Sequence, residues 1–88
     1  MKSYADQARE LATPEYTEES AFYFLLGMKV RQARLKRKFQ QKELASLIGV
    51  SQSCLARIEI GESRAQVYDL VRIAKILKIK LTELIPNA

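Results

Sequence analysis

The apolar positions of this 88-residue chain recur most regularly between Gln41 and Gly61, in the stretch QKELASLIGVSQSCLARIEIG. Leu44, Ala45 and Ile48 fall at helical spacing, Gly49 follows them, and Leu55 and Ile58 mark the inward face of a second short helix. Gly49 lacks a Cβ, so it can take the left-handed backbone that stops the first helix and turns Val50 back toward the core. Ser51 restarts the chain as an N-cap, its hydroxyl accepting from an orphan N–H of the second helix. A wheel at about 100° per residue puts Ser53, Ala56, Arg57 and Ile60 on the outward face, with Gln52 at its exposed start. That face carries one guanidinium and no carboxylate, so a polyanion can approach it without repulsion. Glu59 leans inward, where an unpaired carboxylate is costly, and so it needs a partner.

The flanking patterns predict further helices. Thr17 to Lys38 reads as a long one: Thr17 caps it, Glu18 and Glu19 suit its positive end, and Lys36, Arg37 and Lys38 suit its negative end. Its run Ala21–Leu26 has more apolar surface than one face of a single helix needs; Phe22 and Leu26 suit a satellite core, Tyr23 and Phe24 contact with another chain. Residues 62–66 read as a loop, and Val67 to Lys78 as a helix with Val67, Leu70, Ile73, Ala74 and Leu77 on one face. Thr82 to Ile85 make one last helical turn before Pro86. At the other end, Tyr4, Ala8, Leu11 and Ala12 either line a short helix from about Ser3 to Ala12, ended by Pro14, or belong to a loose tail. The expected fold is all-α: a compact five-helix domain over residues 21–88 behind an N-terminal extension, residues 1–20.

A single small domain of this length has a marginal core, which makes association with another chain energetically reasonable. Hydrophobic content of 48% with 28% charged residues suits an ordinary globular protein. No apolar run approaches the ~20 residues that span a bilayer and no signal peptide is recognised, so a cytoplasmic location without a membrane partner is expected. Charge divides unevenly. Through Ser20 there are two basic against five acidic residues, and beyond it thirteen against five, which splits the net +5 into −3 and +8. A strongly basic domain with an acidic extension is the asymmetry of a nucleic-acid-binding protein.

Catalysis has few candidates. The chain has no histidine, a single thiol and only three glycines, which leaves no general base of the usual kind, no transition-metal ligand set and no phosphate-cradling loop. No enzyme activity, metal or cofactor is expected. Cys54 is either a redox switch beside the outward face or a small half-buried filler.

The spacing of Gln41, Glu43, Leu44, Ala45, Gly49, Val50, Ser51, Gln52, Leu55, Arg57, Ile58, Glu59 and Gly61 resembles the lambda-repressor-like, or XRE-type, helix-turn-helix family. The resemblance runs from about Leu26 to Leu84. It implies that the second helix of the motif lies in the major groove of double-stranded DNA, with Gln52, Ser53 and Arg57 reading bases and Gln41, Ser51, Ser63 and Arg64 holding phosphates. It also implies an ion pair between Arg34 and Glu59, the partner that Glu59 requires, and an apolar plug between the first two helices at Phe39. Lys38 and Lys42, beside the reading helix, are further phosphate candidates from their placement. The chain departs from the family at Gln40, in place of a Ser or Thr cap, at Ala65, in place of Pro, at Gln66, in place of a common cap, and at Lys78, where relatives have Gly.

Leu81, Leu84 and Ile85 cluster at the end of a small domain, where relatives commonly pair; they are either a homodimer surface or a cap on the monomer core. A two-fold dimer sets its reading helices about 34 Å apart and implies a palindromic operator. The function expected is sequence-specific transcriptional repression. The acidic extension and lengthened first helix resemble the HigA-type antitoxins, which implies a RelE-like toxin as partner, contacted through Tyr4, Leu11, Tyr16, Tyr23 and Phe24. The alternative is a stand-alone phage-type repressor or restriction-modification controller.

Overall fold

The computed structural model describes residues 18–86. Four α-helices, α1 (Glu18–Lys36), α2 (Gln41–Ile48), α3 (Gln52–Glu59) and α4 (Val67–Leu77), precede a single 3-10 turn, Leu81–Glu83. The sequence predicts five helices. The last of them proves too short: Pro86 leaves room for one turn only, which closes i→i+3 bonds such as Leu84 N–H to the Leu81 carbonyl, 3.0 Å. The expected helix over Ser3–Ala12 and the Thr17 cap lie outside the described residues. Glu18–Ser20, assigned to the extension, are the first turn of α1.

Each helix ends in the same way. A left-handed residue closes each, and the next N–H reaches back five residues: Phe39 to the Arg34 carbonyl (3.1 Å), Val50 to Ala45 (3.0 Å), Glu62 to Arg57 (2.9 Å) and Ile79 to Ala74 (3.0 Å). Glycine fills the left-handed position at the two inner ends, Gly49 (φ 77°) and Gly61 (φ 80°). Lysine fills it at the two outer ones, Lys38 (φ 60°) and Lys78 (φ 56°). A side chain there costs about 1–2 kcal/mol relative to an ordinary conformation, so Lys38 and Lys78 close their helices less favourably than a Gly would. The same motif ends α1 at Lys36, two residues short of expectation.

The starts divide similarly. Ser51 Oγ accepts the Cys54 N–H at 3.0 Å, a full N-cap for α3. Gln40 makes no side-chain cap bond, but its own N–H donates to Glu43 Oε1 at 2.9 Å, so α2 keeps the reciprocal half of a capping box.

α1 packs on α3 and α4, and α2 on α3 and α4. The core holds Leu26, Val30, Leu44, Ala45, Ile48, Leu55, Leu70, Ile73, Ala74, Leu77 and Leu84, with Phe22, Phe39 and Val50 packed against it. Fully burying each such aliphatic side chain stabilises the fold by roughly 1.5–3 kcal/mol. Two expectations are corrected here. Val67, assigned to the buried face of α4, is 71% exposed, because it is the first residue of the helix and its side chain falls short of the core. Leu84, assigned to a dimer surface, is fully buried within the monomer, because the 3-10 turn folds back against α4.

The crossing of α1 and α3 is a backbone contact. A Cβ on Gly27 would stand 2.3 Å from the Ile58 carbonyl oxygen and 2.6 Å from that of Glu59. Only a residue without a side chain lets the two helices approach this closely, and that approach brings Arg34 within reach of Glu59.

Candidate nucleic-acid interface

The site is built outward from one buried ion pair. Arg34 Nε donates to Glu59 Oε2 at 2.6 Å and Nη2 to Glu59 Oε1 at 3.0 Å, a two-point grip on a carboxylate that is 2% exposed. The remaining guanidinium nitrogen, Nη1, donates to the Phe39 carbonyl at 2.8 Å, which fixes the turn between α1 and α2. Glu59 thus has the partner that its inward position required. Among the described residues no buried side-chain nitrogen or oxygen lacks a hydrogen-bond partner.

From the pair a chain of bonds runs to the surface. Gln41 Nε2 donates to Glu59 Oε1 at 3.1 Å, and Gln52 Nε2 lies 3.5 Å from Gln41 Oε1, at the outer limit of a hydrogen bond. Gln41 begins α2 and Gln52 begins α3. The two motif helices are therefore registered through side chains anchored on the pair that also holds α1. A ligand reaching Gln52 meets an amide whose position is set by a chain of bonds reaching into the protein interior.

Around that anchor the outward face of α3 is open. Gln52, Ser53, Arg57 and Ile60 are exposed, and Ala56 is half-buried. Lys38 and Lys42 are exposed, Ser63 is half-buried, and Ser51 is exposed while its hydroxyl caps α3. Cys54 is half-buried and free of any disulfide. Beyond α3, the Glu62 and Ser63 N–H groups both reach the Arg57 carbonyl, at 2.9 and 3.3 Å, which ties the following loop to α3.

Arg64 is the exception among the phosphate candidates. Its guanidinium pairs with Glu19 in the first turn of α1 and lies 5.8 Å from the centre of the Tyr23 ring. No property of the loop alone signals this; it depends on α1 passing beneath. Arg72, not singled out by sequence, donates to the Leu47 carbonyl at 3.3 Å near the end of α2 and lies over the Tyr68 ring at 5.6 Å. Of the expected partner contacts, Tyr4, Leu11 and Tyr16 lie outside the described residues. Tyr23 and Phe24 are half-buried, Tyr23 stacked edge-on against Phe22 and packed on the core. Leu81 and Ile85 are likewise half-buried against the core.

Two short helices, α2 and α3, joined by a tight turn and packed between α1 and α4, with an exposed basic and amide face on the second, define a helix-turn-helix module. The chain belongs to the helix-turn-helix family, which it matches over residues 30–84, and it is of the class of DNA-binding transcriptional regulators. Among solved structures it is similar to the restriction-modification controller protein C.AhdI from Aeromonas hydrophila, at 26% identity and a TM-score of 0.68 over 70% of this chain and 94% of that one. It is also similar to the P22 c2 repressor in complex with a synthetic operator, at 28% identity and a TM-score of 0.65, over 69% of this chain and 92% of the repressor. A third likeness is to hydroxypropylphosphonic acid epoxidase from S. wedmorenis, at 28% identity and a TM-score of 0.67, where 73% of this chain covers only 34% of the enzyme. No curated protein matches the chain in sequence. No helix among the described residues is long and apolar enough to cross a membrane.

Proposed function

We propose that the protein represses transcription by binding a palindromic operator as a homodimer, with α3 in the major groove. The observation that carries this reading is the bond chain from Arg34 through Glu59 and Gln41 to Gln52, beside an exposed Arg57 and Ser53 on a face without carboxylates. Pre-set amide and guanidinium groups on a small-residue helix face are suited to base edges, which require bidentate partners at fixed spacing. In this reading Gln52, Ser53 and Arg57 read bases, while Gln41, Ser51, Lys38, Lys42, Ser63 and Arg64 contact phosphates. The likeness to a controller protein and to an operator-bound repressor supports it. With Leu84 committed to the core, Leu81 and Ile85 are the remaining C-terminal candidates for a dimer contact. Selection from a randomised duplex pool tests the reading: the full chain should enrich a two-fold symmetric site. Arg57→Ala should lose about 1–3 kcal/mol on it and relax one base pair in each half. A pool that never enriches, or an Arg57→Ala protein with unchanged preference, would overturn it.

A second reading, an antitoxin, has one observation of its own. The family match begins at residue 30, whereas α1 begins at Glu18, so the Tyr23–Phe24 segment lies on helix that the family match does not reach. In this reading that helix and the acidic residues ahead of it bind a RelE-like toxin. Co-purification from the native host, comparing the full chain with one starting at Ala21, separates the two. A small basic protein held only by the full chain favours the antitoxin; the chain alone with both baits, while the neighbouring gene is expressed, favours the stand-alone repressor.

A further inference from the structure

The seat of Arg64 is not a loose surface encounter. Gly61 lies against α1 so closely that a Cβ there would meet the Phe24 Cα at 2.8 Å and the Phe24 nitrogen at 2.9 Å. The loop after α3 thus starts from a backbone contact with α1, is tied a second time through the Arg57 carbonyl, and carries Arg64 three residues on. On α1, Glu19 and Tyr23 stand one turn apart on the same side of the helix. Arg64 takes both: its guanidinium pairs with the Glu19 carboxylate and lies over the Tyr23 ring. The pair is exposed, with side-chain exposures of 73% and 57%, so water and salt compete for it freely.

In the function proposed above, Arg64 contacts a phosphate; a carboxylate offers it the same bidentate oxygen geometry as a phosphate does. We propose that Glu19 is an internal competitor for the DNA backbone: it holds Arg64 on α1 in the free protein, and DNA binding must exchange that carboxylate for a phosphate. The front turn of α1, ahead of the matched family region, then sets operator affinity without touching DNA. This rests on the DNA-binding reading above. A corollary is that whatever covers Glu19 and Tyr23 alters the grip on DNA through Arg64, which couples the start of α1 to the interface by one side chain.

Phosphate contacts are independent of sequence, so a mixed-sequence duplex of known length serves as probe and the operator need not be known. Glu19→Gln should bind it about two- to five-fold more tightly at low salt, the range an exposed ion pair spans. That gain should fade as salt rises and screens the pair that the wild type must break, while the number of phosphates neutralised, and most of the salt slope with it, stays the same. Glu18→Gln makes the same charge change one residue away and should raise the affinity by much less. In an Arg64→Gln background the Glu19→Gln gain should vanish, with circular dichroism checking that each variant is folded. A gain that persists without Arg64, or equals that of Glu18→Gln, would show a general charge effect and overturn the proposal. Unchanged low-salt affinity in Glu19→Gln would overturn it too. A wild-type chain that fails to bind any duplex would instead sink the DNA-binding reading, and the proposal with it.

Discussion

Two Arg–Glu pairs tie α1 to α3 and to the loop that leaves it, and they have nothing in common but their chemistry. Arg34 and Glu59 meet at 8% and 2% side-chain exposure; Arg64 and Glu19 meet at 73% and 57%. In the first pair each guanidinium nitrogen and each carboxylate oxygen has a hydrogen-bond partner, with the Phe39 carbonyl and the Gln41 amide completing the set. The second has water on most sides. Environment decides what each can do. A buried pair cannot be exchanged for an outside ligand without stranding a charge, so it acts as a fixed reference for the site. An exposed pair is worth little in stability and is therefore available for exchange.

The largest effect should come from breaking the buried pair. Arg34→Ala leaves the Glu59 carboxylate unpartnered and should cost about 3–5 kcal/mol in urea unfolding, enough to unfold much of a domain this small. Arg34→Met with Glu59→Leu removes both charges and should recover most of that stability. The same double variant deprives Gln41 of its acceptor, so duplex affinity should stay low although the fold returns. Recovery of both together would mean that the pair holds the helices but does not position Gln41 and Gln52.

A smaller loss should follow from Gly27→Ala. Its Cβ would meet two carbonyl oxygens of α3, and these are backbone atoms with no rotamer to yield. The helices must separate by about 1 Å, at about 1–3 kcal/mol by thermal or urea unfolding. Because Arg34 and Glu59 sit on these same two helices, the buried pair should loosen as well. An alanine that left stability unchanged would mean that the α1–α3 crossing is more compliant than its geometry indicates.

Gly27 also marks the limit of what the sequence makes legible. Helix propensity alone treats this glycine as a weak point within α1. Its role depends on Ile58 and Glu59, far along the chain, and no local pattern carries that. Local chemistry is readable wherever it is complete in a few residues: the left-handed Gly49, the Ser51 cap, the inward lean of Glu59. The Arg34 partner comes through family resemblance, and the structure agrees with it. Leu84 and Val67 are misplaced for one reason, that helical spacing says which residues share a face but not how far a helix end reaches toward the core. The Glu19–Arg64 pair is likewise out of reach, since each residue looks complete without the other: one as a favourable charge at a helix start, the other as a basic loop residue.

The smallest effect is the one that sharpens the comparison. Arg64→Ala removes an exposed ion pair and an exposed ring contact, and should change unfolding free energy by less than about 1 kcal/mol. Most of that difference should disappear at 1 M salt, where screening acts within about 3 Å. The Arg34→Ala loss should survive the same salt almost intact, because buried pairs are screened little. Duplex affinity should respond differently: Arg64→Ala removes a cation that would neutralise a phosphate, at almost no cost to the fold. Its salt slope should therefore flatten by about 0.9 for each phosphate that Arg64 would otherwise neutralise. If Arg64→Ala instead destabilised the domain by several kcal/mol at high salt, the exposed pair would be a structural tie like the buried one, and the loop after α3 would have no cation to exchange.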